Sequence, residues 1–222
     1  LNFIMLRLNR RAFSKTYKNY LNGQWVASQA TSHIPIYDPL DHEKLIGQVP
    51  QSTEAEFNAI VQNAEDTFHE WKEVPIPQKV RMMLKYQEIL KQNQDDIAAE
   101  ITREHGKSLV DAKGDVFRGY EVVEHAASFN SLAMGETVEN VAKNVDIYSY
   151  RKPLGVCGGI APFNFPAMIP LWMYPMAITL GNTFVLKPSE KVPGTTDILL
   201  DCSPTQESPR VSSTLSKVAE RP

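Results

Sequence analysis

Apolar positions along the chain change period several times, and each change marks an element. Thr53 and Glu56 stand at capping-box spacing, and Phe57, Ile60, Ala64, Phe68 and Trp71 then recur on one helical face. Pro75 and Pro77 stop that helix and start a second, whose stripe is Val80, Met83, Leu84, Gln87 and Leu90. Asp95 or Asp96 caps a third, which ends near Gly106. A fourth is expected from about Ser108 to Met134, with Val116, Tyr120, Val123 and Ala127 inward and Gly135 as its stop. Stripes of this kind are core.

Shorter patterns flank the helices. In "YLNGQWVASQA" the Asn22-Gly23 dipeptide separates two β-like runs and predicts a hairpin. "IPIYDPLDHEKLIGQVP", with three prolines and a glycine, reads as irregular. Further on, Val145, Ile147 and Ser149 alternate with Asp146 and Tyr148, the pattern of a half-buried strand.

The next change is the largest. Residues 153–186 carry no charge, yet Pro162, Pro166, Pro170 and Pro175 punctuate the run. Gly and Pro cut it too short for a membrane helix, which needs about 20 apolar residues. "GVCGGIA" and "NTFVLK" read instead as strands buried on both faces, and the segment between them as a crossover helix. Pro166 suits its first turn, Pro170 and Pro175 bend or shorten it, and Gly181-Asn182 end it. A β-α-β unit brings both strand C-termini to one edge, where α/β proteins bind ligands. The first strand delivers Ala161, Pro162, Phe163 and Asn164; the second delivers Lys187, Pro188, Ser189 and Glu190. Asn164 offers a hydrogen bond to a developing oxyanion, Lys187 can bond ribose hydroxyls or phosphate, and Glu190 accepts from a ribose diol while repelling a 2′-phosphate.

Composition narrows the classes. The 222 residues are 42% hydrophobic and 22% charged with net charge −3, which fits a globular protein and gives no sign of nucleic-acid binding. Two cysteines, Cys157 and Cys202, make no disulfide framework. Five scattered histidines predict no metal site, and "HGKS" (105–108) lacks the leading glycine of a phosphate loop. Residues 1–20 are basic with apolar Phe3, Leu6, Leu8 and Phe13, the composition of a mitochondrial transit peptide. Residues 201–222, rich in Ser and Pro without periodicity, read as disordered.

"PLGVCGGIAPFNFPAMIPLWMYPMAITLGNTFVLKPSE" resembles the aldehyde dehydrogenase superfamily, with its P-L-G-V, P-F-N-F-P, G-N and K-P-S-E series in order. Phe163 before Asn164, "YSYRKPLGVC" and "GDVFRGYEVVEHA" are most similar to its CoA-acylating methylmalonate-semialdehyde dehydrogenase branch. The resemblance covers about residues 20–199. It implies the N-terminal part of that α/β fold, with helices on a partial Rossmann-like parallel sheet and one strand of an oligomerisation sheet. The segments would be a leader (1–20), the helical part of an NAD-binding domain (21–141), the oligomerisation strand (142–152), the β-α-β unit (153–200) and an unmatched tail (201–222).

By the same resemblance Ala161 and Phe163 line an NAD site, Lys187 and Glu190 hold the adenosine ribose, and Asn164 is half of an oxyanion hole. Lys191 stands where the family commonly has Arg. A cysteine nucleophile forms a thiohemiacetal, hydride passes to NAD, and coenzyme A takes the thioester. The substrates implied are methylmalonate and malonate semialdehyde, yielding propionyl-CoA or acetyl-CoA and CO2 in valine and pyrimidine catabolism. A mitochondrial matrix homo-oligomer, commonly a tetramer, is implied, with no nucleic acid and no membrane span. The family's nucleophile lies beyond the matched region: Cys157 falls in a buried strand and Cys202 in the tail, so neither takes that role. Two other readings follow, a non-catalytic nucleotide-binding fragment and a hydrolytic aldehyde dehydrogenase subtype.

Overall fold

Residues 153–186 fold as a parallel strand pair because nothing in them asks for water. β8 (Val156–Ile160) and β9 (Thr183–Lys187) pair in parallel register, Val156 with Thr183 through Ile160 with Lys187, and helix α5 (Met168–Thr179) makes the crossover. In this computed structural model, which describes residues 15–203 and the backbone of 213–215, β9 is buried as expected, whereas β8, the edge strand of its sheet, is only half-buried, with Gly158 and Ile160 exposed. Helix α1 (Glu54–Trp71) lies on one face, where Ile60, Ala64 and Val185 cluster with Phe57 and Val156. α5 lies on the other, where Phe184 and Leu186 join the largest apolar cluster.

That cluster also takes in α2 (Ile76–Gln92), α3 (Gln94–His105), α4 (Leu109–Ala127) and α6 (Gly194–Asp201). α4 and α5 approach closely at Gly119: a Cβ there would stand 2.5 Å from Leu171 Cδ1, so any side chain would push the helices apart. The hydroxyls of Tyr86 and Tyr174, both buried, share a hydrogen bond, and Tyr86 donates to the Leu199 carbonyl at 2.9 Å, joining α2, α5 and α6. Trp71 Nε1 donates to the Ile178 carbonyl at 2.9 Å, tying the end of α1 to that of α5.

Helix boundaries follow the local chemistry. Thr53 and Glu56 form the capping box of α1. α3 starts after Asn93 rather than at an aspartate; Asp95 and Asp96 occupy its first turn, where negative charge complements the helix dipole. α4 stops at Ala127, short of Met134, and Ser128 caps it by donating to the His125 carbonyl at 2.7 Å. On α2, Leu84 is 48% exposed, and Lys79 and Tyr86 are buried beside Met83, Gln87 and Leu90. In α5, Pro170 falls in the first turn, where its missing N–H costs nothing, and Pro166 precedes the helix. Only Pro175 is interior, where it cannot donate to the Leu171 carbonyl.

The hairpin at Asn22-Gly23 forms between β2 (Asn19–Leu21) and β3 (Gln24–Val26), both turn residues having positive φ. The segment expected to be irregular is a second hairpin: β4 (His33–Asp38) pairs antiparallel with β5 (Asp41–Pro50). Its prolines mislead because β4 is an edge strand, where Pro35 forfeits no ladder bond, and Pro50 ends β5. β1 (Lys15–Thr16) adds in parallel to the other side of β5. Tyr17, Asn19 and Tyr20, inside the span expected to be a leader, are therefore buried parts of the fold. The rest of that expected leader, residues 1–14, lies outside the described residues.

β6 (Thr137–Ala142), which shows no strand pattern, pairs with β7 (Val145–Tyr148) in a ribbon exposed on both faces rather than half-buried. At the other end, α6 and Cys202 extend the core past residue 200. β10 (Ser213–Leu215) pairs in parallel with β9, so this part of the expected disordered tail is a strand. Residues 204–212 and 216–222 lie outside the described residues.

Buried carboxylates fasten the N-terminal sheet to the helices: Asp197 of α6 pairs with Lys15 of β1 at 2.8 Å, and Glu104 of α3 holds the residue that follows β1. Glu104 accepts from the Tyr17 hydroxyl and, at 2.8 Å, from the Gly194 backbone N–H, with Arg103 at 3.3 Å. Burial, then the neighbouring Glu100, raises its pKa from 4.5 to about 7. The folded state thus holds a proton that the unfolded chain releases near pH 4.5. This contribution to stability is full below that pH and is lost as pH rises through about 7. Thermal melts between pH 5 and 8 should show the melting temperature falling with pH, and Glu104→Gln should flatten the slope; an unchanged slope would contradict the assignment.

Candidate functional site

The C-terminal ends of β8 and β9 form one rim. The Ala161 N–H donates to the Lys187 carbonyl at 2.9 Å, extending the ladder one residue beyond β8 and holding the two exits together. Ala161 is buried, and Phe163 and Asn164 emerge beside it on the loop to α5, exposed. Lys187 Nζ lies 3.2 Å from Glu190 Oε2, both half-buried. Burial pushes the Glu190 carboxyl up, but its own backbone N–H, Lys187 and Lys191 outweigh that and hold it below its ordinary value. The pair presents a donor and an acceptor side by side, the arrangement that reads a vicinal diol.

A groove of about 410 Å3 runs from this pair along the α1 face of the sheet, lined by Phe57, Val61, Val156, Ile160 and Val185, with Lys187 at the rim. Its floor includes Gly158, where an added Cβ would meet nothing closer than the Val185 carbonyl at 4.0 Å. The apolar floor thus ends at a rim where Lys187, paired with Glu190, offers a donor and an acceptor side by side. The remaining candidate departs from this arrangement: Lys191 Nζ sits 4.8 Å above the Phe163 ring, a cation–π contact. The loop bearing Asn164 is therefore its neighbour.

Three residues that pattern reading passed over shape that loop. α3 ends at Gly106, whose φ of 80° turns the chain sharply, so that His105 and Lys107 project toward the β8–α5 loop. The His105 ring stacks on Phe163, centroids 5.9 Å apart at 22°. Burial, then Lys107, keeps His105 below its ordinary pKa, so it stacks as a neutral ring. Lys107 Nζ donates to the Asn164 carbonyl at 2.7 Å and pairs with Asp115 Oδ2 at 3.1 Å, 4.5 Å above the Phe165 ring. The other Asp115 oxygen accepts from the Met168 N–H at 2.7 Å. "HGKS" is no phosphate loop; its lysine holds a neighbouring loop instead. The available sequence signal was a lysine after a helix-ending glycine, with an aspartate eight residues on.

Neither cysteine is activated. Cys157 is half-buried in β8, and burial raises its pKa. Cys202 is 3% exposed within the largest cluster, not in a disordered tail, and burial followed by Asp201 pushes its thiol up to about 12. Among the described residues no group of three His, Cys, Asp or Glu could hold a metal, and no helix is long and apolar enough to cross a membrane.

Residues 25–210 match the family model described as Aldehyde dehydrogenase family. The chain belongs to the aldehyde dehydrogenase family. Among curated members, the mouse "Methylmalonate-semialdehyde/malonate-semialdehyde dehydrogenase [acylating], mitochondrial" is 52% identical over 83% of this chain and 34% of its own length. The Dictyostelium discoideum protein, named as a probable enzyme of the same kind, is 53% identical over 85% of this chain and 36% of its own length. This chain thus spans about a third of the length of these relatives. A putative methylmalonate-semialdehyde dehydrogenase from Sinorhizobium meliloti, solved as a complex with NAD, superposes with a TM-score of 0.89 at 32% identity, covering 94% of this chain and 42% of that one. The enzyme of that name from Oceanimonas doudoroffii gives 0.83 at 35% identity, covering 92% and 41%. The fold is accordingly the N-terminal part of the aldehyde dehydrogenase fold.

With both thiols protonated, native protein should resist a thiol-specific reagent at pH 7.5, Cys202 reacting only on unfolding. Fast stoichiometric labelling of Cys202 in the native state would contradict its placement.

Proposed function

We propose that this chain supplies the NAD-binding rim and half of the oxyanion hole of a CoA-acylating oxidoreductase acting on methylmalonate and malonate semialdehyde. The observation that carries the reading is the juxtaposition of Asn164 with the Lys187–Glu190 pair at the ends of two parallel strands. Relatives about 52% identical are named for this chemistry and as mitochondrial, which supports a mitochondrial matrix location with residues 1–14 as leader.

In this reading Lys187 and Glu190 hold the adenosine ribose, while Ala161 and Phe163 line the cofactor path. Lys191 keeps Phe163 in place rather than touching the cofactor. NAD, when bound, accepts hydride from the aldehyde carbon. The Asn164 side-chain N–H donates to the substrate oxygen as negative charge grows there. Coenzyme A is the co-substrate that takes the acyl group, giving propionyl-CoA or acetyl-CoA with loss of CO2, in valine and pyrimidine catabolism. The exposed β6–β7 ribbon is the portion proposed to join an oligomerisation sheet in a homo-oligomer.

A second reading concerns the 222-residue polypeptide by itself. With Cys157 half-buried and Cys202 in the core, neither of its cysteines is an activated nucleophile. It is proposed to bind nucleotide without turning over. Purified protein given malonate semialdehyde, NAD and coenzyme A should produce no NADH; clear turnover would overturn this. Any turnover that needs no coenzyme A would favour a hydrolytic subtype. Calorimetric titration should nevertheless detect NAD, and Lys187→Ala should weaken it by about 10- to 100-fold, the worth of a charge-assisted hydrogen bond. Unchanged affinity would remove Lys187 from the site.

A further inference from the structure

The loop that carries Asn164 is tied to one buried carboxylate at two points, directly at Met168 and through Lys107 at Asn164 itself. The Asp115 side chain is 1% exposed, and each of its oxygens has a partner. Oδ1 accepts from the Met168 N–H, at the first residue of α5. That helix has no cap of its own, since Ala167 makes no side-chain hydrogen bond there. Asp115 therefore caps α5 from α4 and places negative charge at its N-terminus. Oδ2 takes the ammonium of Lys107, which is 15% exposed and donates in turn to the Asn164 carbonyl. A buried carboxylate is tolerated only when paired, and a buried ammonium likewise, so neither residue can leave its partner without heavy cost.

We infer that Lys107 and Asp115 are positioning residues for Asn164, the ion pair fixing the peptide from which its amide projects. This rests on reading Asn164 as the oxyanion donor. The Asn164 side chain is exposed and has no hydrogen bond among the described residues, so its direction is set by its backbone. That backbone is held at the carbonyl by Lys107 and four residues later by Asp115. An oxyanion donor is effective only if it is already aimed before charge develops. Between the buried Ala161 and Ala167 at its two ends, the loop exposes Pro162, Phe163 and Asn164, and the Lys107 bond is the one that reaches the Asn164 peptide.

The test uses the whole 222-residue chain, 13C/15N-labelled, with Lys107→Met, Lys107→Arg and Asp115→Asn. Two quantities are read: the 13C resonance of the Asn164 carbonyl and the hydrogen-exchange rate of the Met168 amide. Lys107→Met should move the carbonyl resonance and raise Met168 exchange by about tenfold, a local opening. The amides of Phe184 and Leu186 should keep their wild-type rates. Lys107→Arg should restore both readings. If Lys107→Met does not fold, Asp115→Asn, which keeps volume and one acceptor, should give the same pair of changes. Wild-type values in Lys107→Met, or in Asp115→Asn should that variant replace it, would overturn the inference. So would equal disturbance in Lys107→Arg. A wild-type chain that binds no NAD would sink the proposed function while leaving these readings to judge the positioning.

Discussion

Everything else in this structure depends on the parallel pairing of β8 with β9, the buried strand held between α1 and α5. β9, covered by α1 on one side and α5 on the other, carries no charge before its last residue, Lys187, and residues 153–186 carry none. Polar chemistry is thereby confined to the strand ends. Parallel pairing sends both ends to one edge, where Ala161 and Lys187 are joined by a backbone hydrogen bond. Asn164, Lys187 and Glu190 stand near one another because charge was excluded elsewhere.

Two buried carboxylates carry this rim into the rest of the chain. Asp115 reaches from α4 to the β8–α5 loop, and Glu104 reaches from α3 to the N-terminal sheet and the start of α6. They are satisfied differently. Asp115 has a lysine within 3.1 Å and a helix N-terminus, so its charge is well supported. Glu104 sits beside another carboxylate, and its proton becomes labile near neutral pH.

Much of this was legible in the sequence where one local rule decided the outcome. The Thr53–Glu56 box, the Asn22-Gly23 turn and the charge-free run each announced an element, and the run placed Asn164, Lys187 and Glu190 on one rim. What was missed needed neighbours distant in sequence. Pro35 reads as a breaker until β4 is seen to be an edge strand. Leu84 fits the stripe of α2, but Lys79 and Tyr86 face the core because Trp71 and Tyr174 await them there. Cys202 looked like tail because only the folded α6 shows it entering the core. Lys107 and Asp115 were passed over because their backbone partners, the Asn164 carbonyl and the Met168 N–H, lie more than fifty residues away.

The central claim, that the ends of β8 and β9 form a nucleotide rim, is tested most directly by mapping NAD onto the chain by NMR. Amide resonances of Ile160 to Asn164 and of Lys187 to Glu190 should shift with increasing NAD, together with those of Val156 and Gly158 along the groove. The β6–β7 ribbon should stay still. Shifts confined to other surfaces, or none at saturating NAD, would contradict the account.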